Sequence, residues 1–216
     1  MTPTAKQQQL AALLSQAIVI PVLTIERLEH AVPLARALVA GGVRTLEVTL
    51  RTEVAIEAAR AIMAEVPDAI VGIGTILTVD DLARAQALGA KFGISPGATP
   101  DLLKAAAASS LPFAPGIATA SELMLALAHG CDLVKFFPAE PSGGIKAVRA
   151  LAGPFPNVRI CPTGGIGEAN AAAWLAEPNV VAVGGSWLCP AADIRSGNWA
   201  GITAMCARTM KSLKPA

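Results

Sequence analysis

The stretch Asp-Leu-Val-Lys-Phe-Phe-Pro, residues 132–138, has the composition of a buried apolar strand, yet it carries a lysine at its centre. Side chains alternate between the two faces of a strand, so Lys135 shares a face with Leu133 and Phe137. A buried ammonium group is unfavourable unless it is paired or neutralised, and desolvation favours the neutral amine that attacks carbonyls. The alternative is an edge lysine that extends its amine to water. The neighbouring segments favour the buried, reactive lysine.

Apolar runs of this kind recur along the chain, separated by helix-period segments that are rich in Ala and Leu. Glycines such as Gly89 and Gly130 mark the ends of several helices. Strand followed by helix, eight times over, is typical of a closed (β/α)8 barrel rather than an open sheet. We therefore expect an α/β fold in which residues 1–216 form a single-domain (β/α)8 TIM barrel with a short N-terminal helix. The eight runs begin near Ile18, Thr45, Ile70, Phe92, Pro112, Leu133, Arg159 and Val180.

Composition and charge argue against a membrane protein and a nucleic-acid-binding protein. Hydrophobic residues make up 53% of the chain, but Pro, Gly, Thr or a charge interrupts every run short of the length that a membrane span requires. This apolarity suits parallel strands that are covered on both faces. The net charge is +1, with basic and acidic residues scattered along the chain, so no electrostatic footprint for nucleic acid or anionic lipid exists.

The four cysteines lie far apart, without a C-x-x-C pair or a nearby histidine. They are Cys131, Cys161, Cys189 and Cys206. We expect reduced, packed thiols and no metal site. No dinucleotide fingerprint is present either, so no cofactor is expected. The first nine residues lack the basic and apolar regions of a signal peptide, which predicts a cytoplasmic protein.

The second predicted strand, residues 44–51, carries polar side chains along one of its faces. Alternation sends Glu47, Thr49 and Arg51 to the face opposite the leucines. In a barrel the chemistry lies at the carboxyl ends of the strands. A carboxylate next to a guanidinium then suits a general acid/base beside an arginine that binds a substrate carboxylate. A purely structural Glu–Arg pair is the alternative.

Glycine-rich segments follow several other strands. Gly-Ile-Gly-Thr, residues 72–75, allows a ligand to approach the backbone closely. Ser95-Pro96-Gly97 and residues 114–117 read as tight turns at the barrel mouth, for which turn formation alone is an equal explanation. Glycine pairs also follow strands seven and eight, where such barrels bind phosphate through backbone N–H groups. Ser186 after the second pair adds a hydroxyl donor, so a phosphorylated substrate is expected.

This set of residues favours carbonyl chemistry without a metal. A neutral lysine attacks a ketone and forms an iminium, which accepts electrons while a neighbouring C–C or C–H bond breaks. Glu47 would move the protons, and Arg51 would favour an α-keto acid. A sugar-phosphate isomerase or epimerase on the same barrel is the first alternative, and it would not need the amine. A catalytically silent phosphosugar-binding protein, in which Lys135 only pairs with Glu47, is the second.

Six motifs, in order along nearly the whole chain, resemble those of the 2-keto-3-deoxy-6-phosphogluconate (KDPG) and 4-hydroxy-2-oxoglutarate (KHG) aldolase family. The resemblance implies a class I aldolase of the Entner–Doudoroff pathway that cleaves KDPG to pyruvate and glyceraldehyde 3-phosphate. It also implies a side activity on 4-hydroxy-2-oxoglutarate and a homotrimer. An aldolase for the phosphogalactonate epimer is a further alternative. The motifs are LEVTLR (46–51), GIGT (72–75), ISPG (94–97), VKFFPAE (134–140) with Gly143-Gly144, CPTGGI (161–166) and GGSW (184–187).

The same resemblance assigns a role to each matching residue. It implies Lys135 as the Schiff-base lysine and Glu47 as the general acid/base, acting directly or through a water. The implied pyruvyl site comprises Arg51, Thr75, Pro96, Phe137 and Thr163. The implied phosphate site comprises Gly164, Gly165, Gly184, Gly185 and Ser186.

Overall fold

The computed structural model describes residues 4–213 as alternating strands and helices. Residues 1–3 and 214–216, which the predicted domain 1–216 includes, lie outside the described part. Every strand pairing within this part is parallel. The strands are β1 (Val19–Leu23), β2 (Thr45–Thr49), β3 (Ile70–Gly74), β4 (Gly93–Ile94), β5 (Phe113–Ala114), β6 (Gly116–Ile117), β7 (Leu133–Phe136), β8 (Arg159–Pro162) and β9 (Val183–Gly185).

Helices connect successive strands, and their ends follow local sequence signals. Thr78 and Thr119 each accept the backbone N–H three residues on, which defines the starts of the fourth and sixth helices. Over residues 4–213, none of the helices combines the length and apolarity needed to cross a bilayer. The helices are α1 (Ala5–Ser15), α2 (Ala31–Ala40, after a 3-10 turn at Leu28–His30), α3 (Ala55–Glu65), α4 (Val79–Leu88), α5 (Pro100–Ala108), α6 (Ala120–Ala128), α7 (Gly144–Ala152), α8 (Ala171–Leu175), α9 (Ala191–Ser196) and α10 (Trp199–Leu213).

The strands form a curled parallel arrangement in two sheets. The six-stranded sheet has the order β5-β4-β3-β2-β1-β9, and the three-stranded sheet has the order β6-β7-β8. Pro115 alone separates β5 from β6 in sequence. Isolated parallel bridges join Ile160 to Val180 and Thr163 to Gly184 on the other side. The structure therefore has the predicted α/β class and strand–helix alternation, in two sheets.

One prediction about the fifth strand is wrong. Residues 114–117 were expected to form a turn at the mouth, but Gly116 and Ile117 pair with Lys135 and Phe136 of β7. The strand passes so close to the preceding connection that a Cβ on Gly116 would lie 2.1 Å from the carbonyl carbon of Pro96. Glycine at position 116 therefore allows two backbone segments to pack closely. Pro115 only interrupts the hydrogen bonding of the strand between β5 and β6.

The apolar side chains form an inner and an outer core. Leu133 belongs to an inner cluster with Ile20 and Phe92, among others. Val134 and Phe136 belong to an outer cluster between strands and helices. The alternation predicted for residues 132–138 is thus observed, and it places Lys135 on the inward face.

Helix α1 covers the end of the inner core at which the strands begin. Its Leu10 and Leu14 are fully buried in the inner cluster. Its buried Gln7 donates from Nε2 to the Phe113 carbonyl at 2.9 Å and accepts from the Leu133 N–H at 2.9 Å. The side-chain amide therefore satisfies backbone groups at the starts of β5 and β7.

We expect Gln7→Ala to destabilise the fold by about 1–3 kcal/mol, because it leaves a buried carbonyl and a buried N–H without partners. Chemical denaturation measures this loss. Gln9→Ala is the matched control, since Gln9 lies on the exposed side of the same helix. Equal stability of the two variants would contradict the role assigned to Gln7.

Candidate active site

Lys135 and Glu47 meet inside the strand arrangement. Lys135 lies on β7 and Glu47 on β2, and the lysine Nζ donates to the glutamate Oε1 at 3.2 Å. The two side chains are only 3% and 2% exposed. Each charge compensates part of the desolvation of the other, and removing one partner would leave an unpaired buried charge. The structure thus brings together the expected amine and carboxylate, although they are 88 residues apart in the sequence.

The glycines of β3 make room for this pair. A Cβ on Gly74 would lie 2.1 Å from Glu47 Oε1, and a Cβ on Gly72 would lie 2.2 Å from the Phe92 ring. The Gly-x-Gly pattern was expected to admit a ligand to the backbone. The structure corrects this interpretation, because side chains of the protein itself occupy the space.

Arg51 and Thr75 lie just beyond the carboxyl ends of β2 and β3. The Arg51 Nε donates to Thr75 Oγ1 at 3.1 Å. Thr75 has a φ of +57°, in the left-handed region that is unfavourable for a β-branched residue. Such strain persists where the surrounding structure enforces it, and it clusters at functional sites. Here it places a hydroxyl that orients the guanidinium.

An open cavity of about 400 Å³ lies at the carboxyl ends of the strands. Phe137 lines it, and the Lys135 Nζ lies 5.3 Å from the centre of that ring. Lys135 and Glu47 do not themselves line the cavity, so the almost fully buried amine adjoins it through Phe137. Of the expected site residues, the cavity wall contains Arg51, Phe137, Thr163, Gly164, Gly165, Gly185 and Ser186.

Three expected substrate-binding residues, Thr75, Pro96 and Gly184, are not among the residues that line this cavity. A Cβ on Gly184 would lie 2.2 Å from Thr163 Oγ1, so Gly184 packs on that side chain. Pro96 is half-buried against the backbone of Gly116, next to the position that pairs with Lys135.

The cavity also contains polar residues that the sequence analysis missed. Thr24 and Glu26 line it. Both residues follow the carboxyl end of β1. They could have been predicted from the rule that the chemistry of such barrels lies at the carboxyl ends of the strands.

The cysteines are free and buried within the described residues. Burial raises the pKa of the Cys161 thiol to about 12. Its position on β8 is in register with Lys135. Over residues 4–213, no group of three His, Cys, Asp or Glu side chains is arranged to hold a metal ion.

Comparisons with known proteins match this chain to one family. A family model described as the KDPG and KHG aldolases matches residues 10–205. The chain is 53% identical over 203 residues to a KHG/KDPG aldolase of Escherichia coli K12, covering 94% of this chain and 95% of the relative. It is 57% identical over 187 residues to a 2-dehydro-3-deoxy-phosphogluconate aldolase of Dickeya dadantii, covering 87% and 88%.

Solved structures give the same result. A KDPG aldolase from Legionella pneumophila, with pyruvate captured at low pH as a covalent carbinolamine intermediate, superposes with a TM-score of 0.90 at 47% identity, covering 92% of this chain and 97% of that one. A 2-keto-3-deoxy-6-phosphogluconate aldolase of Zymomonas mobilis with 3-phosphoglycerate has a TM-score of 0.90 at 45% identity, covering 97% and 98%. The chain therefore belongs to the KDPG and KHG aldolase family.

Proposed function

We propose that this protein is a class I aldolase that reversibly cleaves 2-keto-3-deoxy-6-phosphogluconate to pyruvate and glyceraldehyde 3-phosphate in the Entner–Doudoroff pathway. The observation that carries the proposal is the buried Lys135–Glu47 pair, whose amine lies next to the cavity-lining ring of Phe137. The names of the relatives and the covalent pyruvate adduct in the Legionella pneumophila enzyme support it. A side activity on 4-hydroxy-2-oxoglutarate follows from the KHG/KDPG aldolase relative.

The first step requires a neutral amine, because an ammonium group is not a nucleophile. Glu47 Oε1 is within hydrogen-bond distance of Lys135 Nζ and accepts its proton. The amine then attacks the C2 ketone of the substrate to form a carbinolamine. The proton on Glu47 returns to the C2 hydroxyl as it leaves as water, which yields the iminium and restores the carboxylate.

Cleavage uses the iminium as the electron acceptor. The C3–C4 bond breaks, its electron pair forms an enamine, and the C4 hydroxyl proton passes to Glu47, directly or through a water. Glyceraldehyde 3-phosphate leaves. Glu47 then protonates C3 of the enamine, and water hydrolyses the resulting imine to release pyruvate. Arg51, oriented by Thr75, binds the substrate carboxylate next to the reacting carbon.

The phosphate of the substrate binds at the part of the cavity wall that Gly164, Gly165, Gly185 and Ser186 form. Ser186 supplies a hydroxyl, and Gly164 and Gly165 contribute a backbone with φ values of +103° and +80°. Consecutive glycines in this conformation allow backbone N–H groups to surround an anion. Gly185 completes the wall.

Ser186→Ala is expected to raise KM for the phosphorylated substrate about tenfold, because one hydrogen bond to a charged group is lost. Turnover of the unphosphorylated 4-hydroxy-2-oxoglutarate is the internal control and should change little. Steady-state kinetics with both substrates makes the comparison. An unchanged KM for the phosphorylated substrate would contradict the phosphate site.

We further propose that the two sheets close into a full (β/α)8 barrel and that residues 1–216 form one domain. The single-residue gap at Pro115 and the bridges between β8 and the β9 segment support closure.

We also propose that the protein is a homotrimer and that it is located in the cytoplasm. The exposed apolar side chains of Leu77, Val79 and Met124 offer interface surface, and the unpaired thiols suit a reducing compartment. The molar mass in solution tests the trimer.

A further inference from the structure

Glu140 lies in the loop after β7, and its side chain accepts hydrogen bonds from two residues of the segment that follows β8. Its Oε1 accepts from Trp174 Nε1 at 2.8 Å and from Asn170 Nδ2 at 3.0 Å. Trp174 is fully buried, so its indole N–H requires an acceptor. These two contacts join the β7 loop to α8 behind the proposed phosphate site.

Glu140 and Asn170 also fix the backbone of residues 164–167, which follow β8 and are called the glycine loop here. The Glu140 N–H donates to the Gly164 carbonyl at 3.0 Å, and Asn170 Nδ2 donates to the Gly165 carbonyl at 3.1 Å. In a planar trans peptide, the carbonyl and the following N–H point in opposite directions. The N–H groups of Gly165 and Ile166 are thereby turned to the opposite side of the loop, where both residues line the cavity.

Packing leaves the loop little freedom to move toward Glu140. A Cβ on Gly165 would lie 2.6 Å from the Glu140 Cβ, so the glycine backbone rests directly on that side chain. Asn170 Oδ1 also accepts from the Gly167 N–H at 2.8 Å, which fixes the far end of the loop. The loop is therefore held from one side by hydrogen bonds and close contact, and its other side faces the cavity.

We infer that Glu140 is a positioning residue for the phosphate subsite, which rests on the proposed function above. Through Asn170 and the glycine loop, it sets the direction of the N–H groups that bind the phosphate. It acts by accepting hydrogen bonds, since a negative charge beside a phosphate would by itself weaken binding. A residue that only stabilised the fold would affect phosphorylated and unphosphorylated ligands alike.

The test compares Glu140→Ala with Glu140→Gln in the full-length protein. Glu140→Ala should raise KM for the phosphorylated substrate about tenfold or more through loss of loop alignment, while borohydride trapping of pyruvate on Lys135 keeps its wild-type rate. Glu140→Gln should recover most of the loss, because an amide oxygen still accepts from Trp174 and Asn170. Glu57→Ala is the control for loss of a carboxylate, as Glu57 pairs only with Arg60 on the exposed face of α3 among the contacts described.

Three results would overturn the inference: an unchanged KM in Glu140→Ala, an equal loss of pyruvate trapping in that variant, or a glutamine variant as impaired as the alanine variant. If Glu140→Ala does not fold, Asn170→Ala removes the hold on the Gly165 carbonyl and should raise KM in the same way; an unchanged KM there would equally overturn the inference. Failure of pyruvate trapping in the wild-type protein would instead count against the proposed aldolase function.

Discussion

Lys135→Ala is expected to lose cleavage activity by a factor of roughly 10⁴ or more, because the proposed covalent intermediate forms on the side-chain amine that this change removes. The structure gives the lysine side chain the carboxylate of Glu47 as a partner and a position beside Phe137, which lines the cavity. Steady-state cleavage of the phosphorylated substrate measures the loss, and pyruvate trapping in the same variant should be absent.

Lys135→Arg is the matched control for the buried charge. Arginine keeps a cation beside Glu47, but its guanidinium does not deprotonate in proteins and so forms no imine. The arginine variant should therefore be as inactive as the alanine variant. Alanine leaves Glu47 buried without its partner, so thermal unfolding of both variants must show a folded protein. Ordinary turnover by either folded variant would refute the Schiff-base assignment.

Glu47→Gln should slow cleavage by roughly 10²–10⁴-fold, because the proposed general acid/base can no longer take or give a proton. Glutamine has nearly the same shape, so its carbonyl oxygen can still accept from Lys135 Nζ. We therefore expect imine formation with pyruvate to remain measurable.

Single-turnover measurements separate these two steps. Trapping with pyruvate reports imine formation, and product formation reports the proton transfers. Glu57→Gln, on the exposed face of α3, controls for the glutamate-to-glutamine change itself. Wild-type cleavage by Glu47→Gln would remove Glu47 from the mechanism.

The face on which each strand residue lies follows from the sequence because alternation is local. The composition of residues 132–138 is enough to orient Lys135, and residues 44–51 are enough to orient Glu47. Their contact at 3.2 Å depends in addition on how the two sheets face each other, because β2 and β7 belong to different sheets. This local rule explains why the amine and the carboxylate could be selected without coordinates.

Features that depend on neighbouring strands could not be predicted in this way. The glycines of β3 have the sequence signature of a ligand site, but they accommodate Glu47 and Phe92, which only the packing of the side chains in three dimensions reveals. The prediction of a turn at residues 114–117 was wrong for the same reason, since Gly116 packs on the backbone of Pro96.

Glu140 is a related case. It was part of a recognised motif, but its partners Asn170 and Trp174 are 30 and 34 residues away. Local sequence gives no indication of a contact between loops that follow two different strands. Its relation to the glycine loop is visible only when the two loops are seen together.

The most direct test of the account is reduction with sodium borohydride in the presence of pyruvate, followed by mass mapping of the peptides. We expect a reduced pyruvate adduct on Lys135, and we expect no adduct when pyruvate is left out. Folded protein that gives no adduct, or an adduct on another lysine, would contradict the mechanism. The absence of any adduct would favour a sugar-phosphate isomerase or epimerase, which needs no amine at this position.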